Sequence, residues 1–338
     1  TEDDRIAIVD NVIAFSDPIP AGGSSFTLVD HFLIYSFDDA LLGNIPCSVH
    51  IQAGDAEPYY EIDFDISVSL SLNQYGFPIE GINIKSSPLI ADLDNNAYSE
   101  IYFGSEDDNL YSYMIAGNLI SGFPFEAGDK IQSSPAAGDV DLDGNNEIVF
   151  GSHDGNLYII DTNGDQELAY SQSGFIIGAP ALHDLDGDED LEIVFTTQSG
   201  SSGKLYAIHH TGSNLDGFPV DLGEIMVVGA AVGDLESDGS IDIVVTTYED
   251  HIYAINTDGT IKDGFPFVAS HRFKSPATLV DLDGDNDLEI VAGNDDGNLY
   301  ILHHDGTLMT TFDVGDDIRG GISVADINDD GDVELLFV

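Results

Sequence analysis

Residues 133–160 read SSPAAGDVDLDGNNEIVFGSHDGNLYII, and variants of this phrase recur along the chain. Further copies begin at Ser86, Gly178, Gly229, Lys274 and Gly321. The first acid of each acidic run falls at Asp92, Asp139, Asp184, Asp234, Asp281 and Asp326, at intervals of 45 to 50 residues. A period of this length that carries only strand patterns is the size of one four-stranded blade of a β-propeller.

The quoted copy also predicts the four strands of a blade. The apolar stretch Pro135 to Gly138 leads into the acidic run, and Glu147 to Phe150 follows it. The turn Asp154-Gly155 leads to a third strand, Asn156 to Ile160, and the turn Asn163-Gly164 leads to a fourth. Such turns tolerate the positive φ that tight hairpins need. No segment shows a 3.6-residue apolar period, so the sequence predicts an all-β fold.

A second landmark is the tripeptide Gly-Phe-Pro, which begins at Gly76, Gly122, Gly217 and Gly264, just before a repeat. An aromatic side chain at a fixed repeat position is expected to pack between neighbouring blades.

The last copy, Gly321 to Val338, contains only two strand patterns. We predict that Ile66 to Ile84 supplies the missing strand or strands of that blade. This pairing would close a ring of six blades and hide the sheet edges of an open one. The alternative is that further blades follow Val338.

The charge balance is strongly acidic, with 63 Asp and Glu against 8 Lys and Arg and a formal net charge of −55. A folded chain with this charge repels itself unless cations neutralise it. The shortage of Lys and Arg disfavours binding to nucleic acid and to anionic membrane surfaces. No apolar run is long enough for a transmembrane helix, so membrane insertion is not expected.

Each acidic run aligns on a nine-residue frame, with side-chain oxygens at positions 1, 3, 5 and 9 and a backbone carbonyl at position 7. Calcium takes about six to eight oxygen ligands, and alternate residues of a tight loop can direct their carboxylates at one ion. We therefore predict up to six Ca²⁺ ions, one per blade, with the substituted first and fourth loops the least certain. The predicted metal-site residues are Asp92, Asp94, Asn96, Tyr98, Glu100, Asp139, Asp141, Asp143, Asn145, Glu147, Asp184, Asp186, Asp188, Asp190, Glu192, Asp234, Glu236, Asp238, Ser240, Asp242, Asp281, Asp283, Asp285, Asp287, Glu289, Asp326, Asn328, Asp330, Asp332 and Glu334.

The frame is not that of an EF-hand, because its closing acid is at position 9 and strands flank the loop. Zinc prefers His and Cys ligands, and the loops contain neither at the frame positions. Two histidine pairs, His209-His210 and His303-His304, occupy equivalent turns after a third strand. We interpret these pairs as features of the repeat without a catalytic role.

On these loops and strands, the units resemble FG-GAP repeats, also called VCBS repeats, of integrin α-chain propellers and bacterial secreted proteins. The resemblance covers about residues 66–338. It implies calcium in the loop between the first two strands of a blade, and an extracellular location, secreted or on the cell surface. The substituted first and fourth loops depart from the family pattern.

Residues 1–65 lack the repeat and alternate in stretches such as Arg5–Ile13 and Ser25–Ser36. This pattern predicts a small β-sandwich or part of one. Asn44-Ile45-Pro46 before an alternating strand loosely resembles the immunoglobulin-like modules found beside such propellers. The predicted domains are therefore residues 1–65, a β-sandwich segment, and residues 66–338, a six-bladed calcium-binding propeller.

No catalytic motif is visible: the chain has no Gly-x-Ser-x-Gly elbow, and Cys47 has no evident His partner. We therefore expect a non-catalytic scaffold, protein-interaction or adhesion module of a larger secreted or surface protein. Its expected partner is a protein or a glycan at the cell surface, and nothing indicates self-association.

Two other classes of function stay open at this point. A glycan-binding, lectin-like propeller predicts repeated aromatic and polar clusters. A polysaccharide-degrading enzyme predicts one blade with unusual loops, for which Gln198–Gly203 is the only visible insertion.

Overall fold

A computed structural model of the chain describes residues 6–10, 33–36, 43–53, 60–70, 77–328, 331 and 333–337. The chain divides into two compact units, Thr1–Pro78 and Ile79–Val338. Every named regular element of the described part is a β-strand, which confirms the all-β prediction. Among the described residues there is no helix with the length and apolar character that a membrane span requires.

Two antiparallel pairs of strands are described in the first unit. Strand β1 (Ile6–Asp10) pairs with β2 (Leu33–Ser36), and β3 (Gly43–Ala53) pairs with β4 (Tyr60–Leu70) over its whole length. The predicted domain boundary after residue 65 lies within β4, and the compact unit continues to Pro78. The predicted β-sandwich stays a prediction, because residues 11–32, 37–42 and 54–59 lie outside the described ranges.

Five four-stranded antiparallel sheets follow in the second unit, each a meander in chain order, and we number them blades 1 to 5. Blade 1 contains β5 (Leu89–Ala91), β6 (Glu100–Gly104), β7 (Asn109–Met114) and β8 (Phe125–Glu126). Blade 2 contains β9 (Ala136–Gly138), β10 (Glu147–Gly151), β11 (Asn156–Ile160) and β12 (Gln166–Ser171). Blade 3 contains β13 (Ala181–His183), β14 (Glu192–Thr196), β15 (Lys204–Ile208) and β16 (Val220–Asp221). Blade 4 contains β17 (Ala231–Gly233), β18 (Asp242–Thr246), β19 (His251–Asn256) and β20 (Phe267–Val268). Blade 5 contains β21 (Thr278–Val280), β22 (Glu289–Gly293), β23 (Asn298–Leu302) and β24 (Leu308–Asp313).

The sixth sheet, blade 6, contains β25 (Ser323–Ala325) and β26 (Glu334–Leu336) among the described residues. Ile66 to Ile84 was predicted to supply the missing strands of blade 6, but the described parts of this segment pair elsewhere. Residues 66–70 pair with Gly43–Cys47, and Ile84 forms a bridge to Ser105 of blade 1. Only six residues separate β3 from β4 in sequence, so their pairing has a small entropic cost, whereas the predicted pairing would close a loop around the whole repeat region.

The hydrophobic core lies between successive blades. The aromatic residue of the Gly-Phe-Pro tripeptide contributes to it, as predicted. Phe123 is buried with Tyr102 of blade 1 and Ile148 of blade 2. Phe218 is buried in the cluster that joins Val194 of blade 3 to Ile243 of blade 4.

The glycine of the same tripeptide brings neighbouring blades into close contact. Gly122 has a φ of +94°, and a Cβ atom there would lie 1.7 Å from the carbonyl oxygen of Asn163 in blade 2. Gly217 and Gly264 approach Asp258 and Asp305 of the following blades in the same way. Only glycine satisfies both the backbone conformation and this approach.

Candidate metal centres

Each acidic loop connects the first and second strands of a blade. Its two ends are held together by the sheet, since the residue before position 1 is the cross-strand partner of position 9. In blade 2, Gly138 pairs with Glu147, and in blade 5, Val280 pairs with Glu289. The antiparallel register therefore brings the first and last acids of the frame side by side.

Two positions of the frame adopt the left-handed backbone conformation, which explains the uneven placement of glycine in the sequence. Position 6 is left-handed at Gly144 (φ +92°) and Gly239 (φ +91°), and position 4 is left-handed at Gly187 (φ +84°) and Gly284 (φ +81°). Leu142, at position 4 of the second loop, has a φ of +61°. This conformation is rare for a residue with a branched apolar side chain and marks a tightly determined loop.

The acids at positions 1, 3 and 5 fold the loop by accepting backbone hydrogen bonds. In the second loop, Asp139 Oδ2 accepts from the Gly144 N–H at 3.0 Å, and Asp141 Oδ1 accepts from the Asp143 N–H at 3.1 Å. Asp143 Oδ1 accepts from the Asn145 N–H at 2.8 Å. These bonds turn successive carboxylates toward the inside of the loop, and a solvated turn would make them as well.

In the first five loops the acid at position 9 is buried, unlike the acids at positions 1, 3 and 5, whereas Glu334 of the sixth loop is partly exposed. Glu100, Glu147, Glu192, Asp242 and Glu289 are each 3% exposed or less. One carboxylate oxygen of this closing acid accepts the N–H of position 2 in every loop. The donors and distances are Leu93 3.2 Å, Val140 2.9 Å, Leu185 2.8 Å, Leu235 3.4 Å, Leu282 2.8 Å and Ile327 2.8 Å.

Burial perturbs the ionisation of these closing acids. It raises the pKa of Glu147 and of Glu192 to about 7, and neighbouring acids such as Asp141 and Asp186 add to the rise. Burial also raises the pKa of Glu100. The loops therefore hold carboxylates that are costly to ionise unless a cation lies beside them.

The fold brings several predicted ligand sets together. One ligand atom from each member of a set lies within 4.8 Å of the others in the sets Asp92–Asp94–Glu100, Asp139–Asp141–Glu147 and Asp184–Asp186–Asp188. Such groups could hold a metal ion. Tyr98 is 72% exposed, so its side chain points to solvent.

The sixth loop is described in part. Asn328 Nδ2 donates to Glu334 Oε1 at 3.0 Å, and the Gly331 N–H donates to Asp326 Oδ2 at 2.9 Å. The predicted ligands Asp330 and Asp332 lie outside the described residues.

Two histidines belong to groups that could hold a metal ion, a role that was not predicted for them. Asp186, Glu192 and His209 form one group, and Asp283, Glu289 and His303 form another. Each histidine begins the turn after the third strand. The backbone N–H of His209 donates to Ser213 O, and that of His303 donates to Thr307 O. This turn lies at the same end of the blade as the acidic loop, because the strands alternate in direction.

The fourth loop contains a cation supplied by the chain. Lys262 Nζ lies 2.5 Å from Glu236 Oε2 and 2.8 Å from Asp242 Oδ1. The backbone N–H of Lys262 donates to Ala254 O. At the equivalent places in blades 1 and 3, the N–H of Ile120 donates to Ser112 O and that of Leu215 to Ala207 O. A lysine where blades 1, 3 and 5 have Ile120, Leu215 and Met309 was the available sequence signal.

A cleft of about 720 Å³ lies in the second unit, lined by residues such as Tyr248, Arg272 and Arg319. Tyr248 follows the second strand of blade 4, so the cleft lies at the end of the blades opposite the acidic loops. Asp295 Oδ2 accepts from Arg272 Nε at 2.5 Å and from Lys274 Nζ at 2.9 Å. Three of the eight Lys and Arg residues of the chain, Arg272, Lys274 and Arg319, therefore lie around Asp295.

No protein-family model and no curated protein sequence matches the chain. Solved structures resemble it in fold. BBS1N, in a crystal structure with ARL6DN, is 14% identical, with a TM-score of 0.57 over 77% of either chain. Bap1, a biofilm matrix protein of V. cholerae, is 18% identical, with a TM-score of 0.52 over 68% of this chain and 40% of that one.

A quinohemoprotein alcohol dehydrogenase from Comamonas testosteroni is 13% identical, with a TM-score of 0.51 over 69% of this chain and 43% of that one. These neighbours include β-propeller proteins, so the fold of this chain is that of a β-propeller. At such identities the likeness shows the fold alone.

Proposed function

We propose that this chain is a calcium-stabilised β-propeller of the FG-GAP, or VCBS, type. In this proposal it acts outside the cell as a non-catalytic protein-interaction or adhesion scaffold of a larger secreted or surface protein. The repeating four-stranded blades and their acidic loops support the repeat type. Calcium, which is abundant outside cells, would neutralise part of the net charge of −55.

The burial of the closing acid carries the calcium proposal. In blade 2, Glu147 is 2% exposed and lies within 4.8 Å of carboxylate oxygens of Asp139 and Asp141. A buried charge without a counter-charge is strongly unfavourable. Calcium binds carboxylates at about 2.3–2.6 Å and often takes the last acid of a loop with both oxygens. A solvated turn accounts for the backbone hydrogen bonds of the loop but not for this burial.

The fourth loop is the exception in this proposal. The ammonium group of Lys262 lies between Glu236 and Asp242, where a metal ion would otherwise neutralise them. We therefore assign calcium to the first, second, third, fifth and sixth loops.

A scaffold role is supported by the uniformity of the described blades. The one insertion, Gln198–Gly203, closes as a tight turn in which Ser199 and Ser202 exchange backbone hydrogen bonds of 2.7 and 3.2 Å. Among the described loops it therefore adds no wide opening for a substrate. BBS1N, a neighbour of similar fold, is crystallised with a protein partner, ARL6DN.

Glycan binding is the second candidate function, and the cleft beside Tyr248 favours it. The cleft joins an aromatic side chain to Arg272, Ser270 and His271, and such mixtures of aromatic and polar groups suit sugars. A glycan array with the calcium-loaded chain and with Tyr248→Ala would test it. Binding that the substitution removes would favour the lectin-like role, and an empty array would favour the protein scaffold.

The calcium proposal is tested by thermal unfolding in EDTA and across a calcium titration, with bound metal counted by elemental analysis. We expect about five bound ions and a fall in Tm on chelation, since ligands that bind only the folded state stabilise it. A chain that carries no calcium and keeps its Tm in EDTA would contradict the proposal.

A further inference from the structure

The third and fifth loops differ from the first, second and fourth by a nearby imidazole nitrogen. His209 and His303 head the turn after the third strand, where blades 1, 2 and 4 have Met114, Asp161 and Asn256. In both cases the next residue is also a histidine, and its Nδ1 lies 3.2 Å from the position-7 acid, Asp190 or Asp287.

The distances in these two loops are close to those between ligands of one metal ion. His209 Nδ1 lies 2.9 Å from Glu192 Oε1, and His303 Nδ1 lies 3.6 Å from Glu289 Oε1. Ligand atoms about 2.0–2.1 Å from one metal ion lie roughly 2.8–3.4 Å apart in octahedral or tetrahedral geometry. The 2.9 Å separation, which is also that of a hydrogen bond, lies within this range, and the 3.6 Å separation is slightly longer.

A buried oxygen without a hydrogen-bond partner points to a ligand in the fifth loop. Glu289 is 0% exposed, and its Oε2 accepts the Leu282 N–H at 2.8 Å. Its Oε1 is buried and makes no hydrogen bond with any described residue. That oxygen faces His303 in the group formed with Asp283. Buried polar atoms are rarely left unpaired, so a missing partner here is expected to be an ion or a water molecule.

We infer that Asp186, Glu192 and His209, and likewise Asp283, Glu289 and His303, bind a divalent transition-metal ion such as Zn²⁺ in preference to calcium. This inference rests on the proposed role of the acidic loops as metal sites. Imidazole suits zinc and its neighbours in the first transition row, whereas calcium takes oxygen ligands. The same fold would then carry two kinds of metal site, distinguished by one residue per blade.

The test uses His209→Asn and His303→Asn, alone and combined, because Asn256 occupies the same position in blade 4. His271→Asn is the control, since His271 lines the cleft at the opposite end of the blades. Zn²⁺ is titrated calorimetrically at saturating calcium, and Co²⁺ absorption reports nitrogen ligation. Loss of even an outer-shell partner weakens metal binding by about 10- to 100-fold, so loss of the histidine should cost at least about 100-fold.

We expect two zinc equivalents in the unsubstituted chain and in the control, one in each single variant and none of comparable affinity in the double variant. Zinc binding unchanged in the double variant would overturn the inference, as would the absence of zinc binding in the unsubstituted chain. Elemental analysis separates the two proposals. Calcium retained without zinc binding would remove this inference alone, and zinc binding without calcium at any loop would remove the calcium proposal alone.

Discussion

Replacement of Lys262 by methionine removes the ammonium group from the fourth loop and keeps an unbranched side chain of similar length. Asp242 is 1% exposed and would keep only the weak hydrogen bond from the Leu235 N–H at 3.4 Å. Removal of one partner of a buried ion pair costs about 3–5 kcal/mol. Glu236 is 31% exposed, so water compensates the loss of its contact, and we take the lower value.

A loss of about 3 kcal/mol corresponds to a fall in Tm of about 5 °C for a cooperative unit of this size. This fall is expected in EDTA, by differential scanning calorimetry. In calcium the variant should recover, because Glu236 and Asp242 would then be free to bind an ion with Asp234 and Asp238. A ligand at about 100 times its Kd returns about 2.7 kcal/mol, which is most of the loss.

The variant should therefore bind one calcium ion more than the unsubstituted chain. Lys204→Met is the matched control, because no ion pair of Lys204 is found among the described residues, and it should change neither Tm nor the calcium count. The reasoning is refuted if Lys262→Met is as stable as the parent in EDTA, or if it binds no additional calcium.

Three further predictions concern the second loop and the contact between blades. Glu147→Gln removes a buried charge, so in EDTA at pH 8 it should raise Tm, with a gain of about 1–2 kcal/mol in the free energy of unfolding, and in calcium it should lower Tm. The exposed Glu126→Gln is the control and should change Tm in neither condition. A change of the same sign in both conditions would contradict the assignment. Burial raises the pKa of Glu147 and Glu192 to about 7 in the metal-free protein, so the stability present below about pH 4.5 is lost as pH rises through about 7. Tm in EDTA should thus fall between about pH 5 and 8 and change less in calcium; a rise in EDTA would show that these acids are ionised in the metal-free fold. Gly122→Ala should lower the free energy of unfolding by more than about 3 kcal/mol, because the new Cβ atom would lie 1.7 Å from a backbone oxygen. Gly315 has a φ of +80° and nothing within 4 Å of such an atom, so Gly315→Ala should lower it by only about 1 kcal/mol. Equal losses in urea denaturation would contradict the steric argument.

The repeat made the blades predictable. The predicted third strand, Asn156 to Ile160, is observed with the same limits, and the first two strands differ by one residue at one end. These strands are defined by local signals, namely apolar stretches between Asp-Gly or Asn-Gly turns. The predicted pairing of residues 66–70 with blade 6 was wrong. The alternating pattern of β4 is compatible with any neighbouring strand and does not identify its partner.

The ligand sets of the loops were predictable as far as one loop contains them. Asp139, Asp141 and Glu147 are close in sequence, and the hairpin register brings them together. Lys262 and His209 reach their loops from other parts of the blade, 20 and 17 residues beyond the closing acid that each contacts. Their role depends on the register between strands, which the nine-residue frame does not contain.

The blades differ less in their acidic loops than in what lies beside the buried closing acid. In blades 1 to 5 the N–H of position 2 donates to one oxygen of that acid, so the other oxygen needs a positive partner. Blade 4 supplies Lys262, blades 3 and 5 supply His209 and His303, and blades 1 and 2 supply Met114 and Asp161 at the position of the histidines. An ammonium group removes the need for a metal, an imidazole adds a ligand for a softer one, and a methionine or an aspartate leaves the oxygen to calcium. On this argument, exchange of Asp161 for histidine should give blade 2 the zinc preference proposed for blades 3 and 5, and the same change at a position away from the loop should not.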